Sequence, residues 1–244
     1  GAEILRLWVA SENYREDIRI SHEILKRLTE AYRKMRNTFR YFMGNLYDFD
    51  PQKDKVPFDQ LMEIDRYILC RLKQVCEKVV TAFDNFEFHV FYQAFYSFCV
   101  VDLSSFYLDI LKDRLYTYPR NSRERRSGQT AMHNLLLSMT QLMSPILSFT
   151  AEEIWLFLDK KEETSVHLSR FPDLKEIDFD EKLVQKWEQI IALRGEVSKA
   201  LELRRADKTI GHSLDASVNI VLPQNLHLLL QNDLDDLRYI FIVS

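Results

Sequence analysis

Apolar residues recur along most of this chain in steps of three and four. After Ser21, a residue able to cap free helix amides, come Ile24, Leu28, Ala31, Tyr32, Met35, Phe39 and Phe42. This spacing predicts a helix to about Leu46. Residues 48–58 form a polar loop with two prolines. Leu61, Ile64, Ile68, Leu72, Val75, Val79 and Phe83 then predict a second long helix, stopped by Asp84 and Asn85. A third, strongly aromatic helix is expected over about 87–116, a turn at 117–122, and a fourth helix from about 122 to 143. Pro145 ends that run. Thr150-Ala-Glu-Glu153 has the form of a capping box for a short helix to near Leu158.

Beyond this bundle the pattern changes. Residues 161–180 are polar, mixed in charge and hold Pro172, as a linker would. A further helix is expected over about 180–206, with Leu183, Trp187, Ile190, Arg194, Val197 and Leu201 on one side. Gly211 could take the left-handed position after it. Residues 216–222 alternate and are β-branched, and 238–243 are apolar, so both read as strands around a short helix within 223–234. The expected architecture is mainly α: a helix bundle followed by a small α+β subdomain. The divisions are 1–20 as a connector helix, 21–160 as the bundle, 161–180 as the linker and 181–244 as the subdomain. The uncapped apolar start and the apolar end both read as cuts from a larger protein.

Composition narrows the function. The 244 residues (29.1 kDa) are 46% hydrophobic and 29% charged, ordinary for a soluble globular chain. Only 5 residues are Gly, which argues against glycine-rich phosphate loops and turn-dense barrels. No uninterrupted apolar run approaches membrane-spanning length. Three Cys in apolar helical stretches suggest free thiols in a reducing compartment. The six His are scattered without metal-ligand spacing. Asp102, Ser105 and Asp109 share a helical face and could do acid–base work, or accept bonds from arginines such as Arg125 and Arg126. No catalytic constellation emerges.

The net charge of -4 offers no reason to propose nucleic acid, but it is unevenly spread. Residues 15–40 and 114–126 are each net +4, 191–208 are net +2, and the remainder is net -14. Basic segments interleaved with aromatics fit either a polyanion with unstacked bases or an ordinary solvated helix face.

Several stretches, taken together, are specific. They are Gly1-Ala-Glu-Ile-Leu-Arg-Leu-Trp-Val-Ala-Ser11, Tyr32-Arg-Lys-Met-Arg-Asn-Thr38, Asp102-Leu-Ser-Ser-Phe-Tyr-Leu-Asp109, Arg125-Arg-Ser-Gly-Gln-Thr130 and Ser144-Pro-Ile-Leu-Ser-Phe-Thr-Ala-Glu-Glu-Ile-Trp155. In this order the whole chain resembles the region after the catalytic domain in isoleucyl-tRNA synthetases, which are class I aminoacyl-tRNA synthetases. Phe-Cys-x-x-Asp-Leu-Ser-x-Phe-Tyr at 98–107 separates it from the valyl and leucyl relatives. Gly128 stands where the family usually has Ala, a change expected to loosen one helix start and little more.

The resemblance implies the anticodon-binding helix bundle of class I synthetases, with isoleucine tRNA as partner. It implies a cytoplasmic, monomeric parent enzyme that activates isoleucine with ATP and Mg, in some members with a C-terminal zinc module. The HIGH and KMSKS signatures are absent from this sequence. Catalysis, ATP, Mg and zinc would therefore belong to segments outside it, including a catalytic domain joined in cis, and no membrane is implied. The tRNA contacts expected on this reading are Arg33, Arg36, Asn37 and Arg40, then Arg123, Arg125 and Arg126, then Lys199, Arg204, Arg205 and Lys208. Phe39 and Phe42 would stack bases if exposed and otherwise belong to the core. The competing readings are a non-catalytic interaction scaffold built on the aromatic third helix, and a metal-free hydrolase around Asp102 and Asp109.

Overall fold

The computed structural model describes residues 1–158, 163–231, 234 and 237–243. The chain forms two compact units, residues 1–179 and 180–244. Among the described residues every regular element is helical.

In the first unit, α1 (Ala2–Ser11) packs against α2 (His22–Asn45), α4 (Phe88–Ser97) and α7 (Ser148–Phe157). The Ser21 hydroxyl caps α2 by accepting from the Ile24 amide at 3.2 Å, as its sequence predicts. The inner face of α2 is Leu28, Ala31, Met35, Phe39 and Phe42, all buried. It lies on a core shared with α3 (Glu63–Asp84) and α6 (Arg123–Met143). Aromatic rings run through that core: Phe83 on Phe91, Phe91 on Phe95, Phe95 on Phe39 and Phe39 against Phe42, with centroids 5.2 to 6.3 Å apart. Such pairs add to the burial of their area.

The aromatic third helix is continuous over Phe88–Thr117 but not uniform. Between α4 and α5 (Leu108–Thr117) it widens into a π-helical stretch, Phe98–Tyr107. There the Ser104 hydroxyl donates to the Cys99 carbonyl at 2.8 Å and meets Thr38 of α2 at 3.3 Å. Contrary to the sequence reading, this helix is long and apolar enough to cross a membrane by length and composition alone. Counting only unbroken apolar runs misses it, because polar residues such as His89, Gln93, Ser97 and Asp102 interrupt the run. Phe91, Phe95, Phe98, Leu103 and Phe106 bury its apolar face in the bundle.

Several local expectations need correction. Thr150 does not cap α7, which starts at Ser148 without a side-chain cap. Its hydroxyl instead donates to Glu3 at 3.0 Å and so accepts from Tyr32 at 2.8 Å. The region expected as linker 161–180 is described from 163 and, up to 179, packs on the bundle. Val166 and Ile177 are buried, Phe171 stacks on Phe83 at 5.6 Å, and Lys73 Nζ donates to the Ile177 carbonyl at 2.9 Å. Residues 161 and 162 lie outside the described residues.

The second unit is α8 (Glu181–Ala206), capped by Asp180, with α9 (Gln224–Leu230) and α10 (Leu237–Phe241). α10 packs on α8, and Arg194 Nε donates to the Ile240 carbonyl at 2.9 Å. Neither expected strand forms. Residues 216–222 have no ladder partner among the described residues, and most of 238–243 belongs to α10. β-branched alternation is a preference that a neighbouring strand must complete. The part of the 223–234 helix at 232 and 233 lies outside the described residues. Gly211 is not left-handed; Lys208 is, with φ 60°, just after α8.

Candidate nucleic-acid interface

The outer face of α2 is basic because its apolar positions all turn inward. At 100° per residue, Lys26, Arg33, Asn37 and Arg40 fall within a narrow stripe opposite Met35. All four are exposed, and from Lys26 to Arg40 the stripe spans about 21 Å. Arg33 pairs with Glu30 at 2.7 Å in an exposed pair. Arg36, to one side, reaches both oxygens of Glu153 on α7 at 2.9 and 3.0 Å. Exposed pairs of this kind are weak and exchangeable. Asn37 is exposed; it does not bridge helices among the described residues. Phe39 and Phe42 are buried, so they serve the core and cannot stack bases.

The second basic segment divides. Arg123 is exposed, its Nε and Nη2 donating to the Gln60 carbonyl at 3.2 and 2.7 Å. Arg125 and Arg126 are 5% and 8% exposed. They therefore leave the set available to phosphates, for a definite reason. Both turn onto Asp48, in the loop after α2. Arg125 grips its two carboxylate oxygens at 2.8 and 3.0 Å, and Gln129 donates to it at 2.7 Å. Arg126 Nη1 donates to the Asp48 backbone carbonyl at 2.9 Å. Burial alone would raise the Asp48 carboxyl, but the bonds from Arg125 and Gln129 outweigh it and hold it well below the usual carboxylate range.

A second buried carboxylate was equally hidden in the sequence. Asp65 of α3 accepts from Tyr107 at 2.7 Å and from Arg114 at 2.8 and 2.9 Å. The Ser127 hydroxyl of α6 also donates to it. One aspartate thus joins α3, the π stretch, α5 and α6. Burial, then Asp65, push the Tyr107 hydroxyl well above its ordinary value. The available signal was the pairing of Asp65 with an apolar flank, Ile64 and Tyr67–Ile68, that forces it inward.

The hydrolase reading loses its pair. Asp102 accepts from Arg71 at 3.1 Å, and Asp109 from Lys112 at 2.9 Å, so the two carboxylates have separate cations. Arg71 takes the role expected of Arg125 or Arg126. The scaffold reading loses the main part of its groove, since Phe91, Phe95, Phe98, Phe106 and Tyr107 of the third helix are in the core. Among the described residues, no three His, Cys, Asp or Glu side chains converge as a metal site.

In the second unit, Lys199 is exposed on α8, Arg204 pairs with Asp207 at 3.4 Å, and Arg205 pairs with Glu202 at 2.5 Å. Lys208 is exposed at the left-handed turn.

A helical bundle with an exposed cationic face and buried carboxylate clamps is the class to which comparison with known proteins also leads. The profile of the family described as anticodon-binding domain of tRNA ligase matches residues 65–220, and the chain belongs to that family. Over its whole length the chain is 52% identical to the isoleucine–tRNA ligase of Natranaerobius thermophilus and 53% identical to that of Geobacter sulfurreducens. It is 48% identical to that of a Thermoanaerobacter species. It spans 26% of the length of each. The α2 stripe lies outside the family profile but inside these alignments.

Proposed function

We propose that this chain holds the anticodon arm of isoleucine tRNA as one module of an isoleucine–tRNA ligase. The reading is carried by the Lys26–Arg40 stripe, a line of exposed cations on a helix whose other face is fixed in the core. A rigid cationic line is what an RNA stem's phosphates require. Arg33, Arg36, Asn37, Arg40 and Arg123 contact the arm from the first unit. Lys199, Arg204, Arg205 and Lys208 do so from the second. Arg125 and Arg126 support the fold. In this reading 1–20 connects to a catalytic domain in cis, the bundle runs from 21 and includes the packed segment that ends at 179, and 181–244 is a junction subdomain. Activation of isoleucine with ATP and Mg, and any zinc, reside in the rest of a cytoplasmic, monomeric ligase.

The test is a titration of the chain with isoleucine tRNA at several salt concentrations. With about five phosphates neutralised, the slope of log K against log salt should be roughly -3.5 to -4.5. Combined Arg33→Ala, Arg36→Ala and Arg40→Ala should flatten that slope by two to three while leaving melting unchanged. Salt-independent binding, or none, overturns the reading.

A further inference from the structure

With Phe39 and Phe42 in the core, the unpaired bases of an RNA loop need another aromatic surface. We infer that they stack on Tyr47 and Tyr116, with Tyr118 and Arg120 at the edge, at the end of the bundle where α2 finishes and α5 gives way to α6. The inference rests on the tRNA reading and adds the surface that would take the loop.

Three observations support it. The rings are outside: Tyr47 is 79% exposed, Tyr116 66% and Tyr118 36%. An exposed aromatic cluster is far more informative than a lone exposed ring. The backbone beside Tyr47 and Tyr116 is also held by a built device. Arg125 donates to the carbonyls of Leu115 and Arg120 at 3.2 and 3.0 Å while holding the carboxylate of Asp48. Leu115 precedes Tyr116, and Asp48 follows Tyr47. One buried guanidinium therefore fixes the backbone beside both rings, and Arg120 Nε binds the same carboxylate at 2.9 Å from the solvent side.

Charge gives the third. The Asp48 side chain is 1% exposed and already neutralised, whereas Arg120 is 68% exposed. The surface offered is thus aromatic and cationic, although the exposed Asp113 lies one turn down α5 from Tyr116–Thr117 and the partly exposed Asp50 three residues after Tyr47. The α2 stripe ends at Arg40, seven residues before Tyr47, so a backbone tracked along the stripe arrives at the rings. Every base has a π face, and an aromatic platform beside cations suits unstacked bases.

The experiment uses the full chain and two RNA hairpins. One has the anticodon arm of isoleucine tRNA; the other has the same stem with abasic loop positions. Tyr47→Ala and Tyr116→Ala should each weaken the first hairpin by about 5- to 100-fold and leave the second unchanged. Tyr47→Phe and Tyr116→Phe should retain binding, because stacking needs the ring and not the hydroxyl. Alanine variants that keep the preference for the intact loop, or that weaken both hairpins alike, overturn the platform and leave the tRNA reading standing. An unsubstituted chain that binds neither hairpin overturns both.

Discussion

Asp48 shows how one side chain can reassign its neighbours. Its removal should be costly because Arg125 would stay buried without a counter-charge and Arg126 would keep only Asp54, at 3.6 Å. Breaking a buried pair from one side costs about 3–5 kcal/mol. Asp48→Asn, measured by denaturant unfolding at pH 7, should lose that order of stability. The pH dependence has a definite sign. The folded-state carboxyl lies below its ordinary value of about 4, so its stabilisation is present above that value and is lost as pH falls. The gap between the unsubstituted chain and Asp48→Asn should be constant from pH 7 to 5 and shrink progressively below about 4. A gap independent of pH would mean that packing, not charge, holds the site. Gly128 is the other instructive residue. A Cβ there would meet the Leu111 Cδ1 atom at 2.6 Å, inside a fully buried contact. More than the start of α6 is therefore at stake, contrary to the sequence expectation. Gly128→Ala should gain helix propensity but overpack Leu111, for a net loss of about 1 kcal/mol. Leu111→Val should restore much of that loss, which a double-mutant cycle of melting measurements will detect as coupling.

At the scale of elements, the apolar spacing of α2, α3 and α8 was legible because burial on one face repeats with the helix. So were the Ser21 cap and the core role of Phe39 and Phe42 once spacing was taken seriously. What local pattern could not supply was the direction of a charge. Arg125 faces inward because a carboxylate 77 positions earlier waits there. Arg123, two residues before it, faces out. The π stretch was invisible for a related reason, since its apolar periodicity passes for α over so few turns. Thr150 makes the same point in reverse: its capping-box context is local, but its bonds are to Glu3 and Tyr32. Thr150→Val should leave α7 helical and loosen the docking of α1. Amide exchange in Ala2–Ser11 should quicken, with little change inside Ser148–Phe157; fraying of α7 instead would restore the capping role. The expected strands failed because a ladder is a property of two segments together, and each was read from its own pattern alone.

At the scale of the molecule, a net charge of -4 conceals a cationic face. The acidic groups that dominate the total are dispersed, and two of the deepest, Asp48 and Asp65, are spent on arginines inside the bundle. Whole-chain charge therefore says little about the partner, whereas the α2 stripe says a good deal. The packed segment from Val166 to Phe179 has a different consequence, which concerns where the first unit can be divided. A polypeptide ended at 160 would uncover the Phe83 ring and strip the cover from Lys73 and Cys70, whose polar atoms are bonded to the carbonyls of Ile177 and Asp178. It should melt several degrees below one ended at 179, and a protease should trim the whole chain to about that later point. The smallest autonomous folding piece is thus set by an irregular tail with almost no helix of its own, so dissecting this protein at helix ends would cut inside a domain.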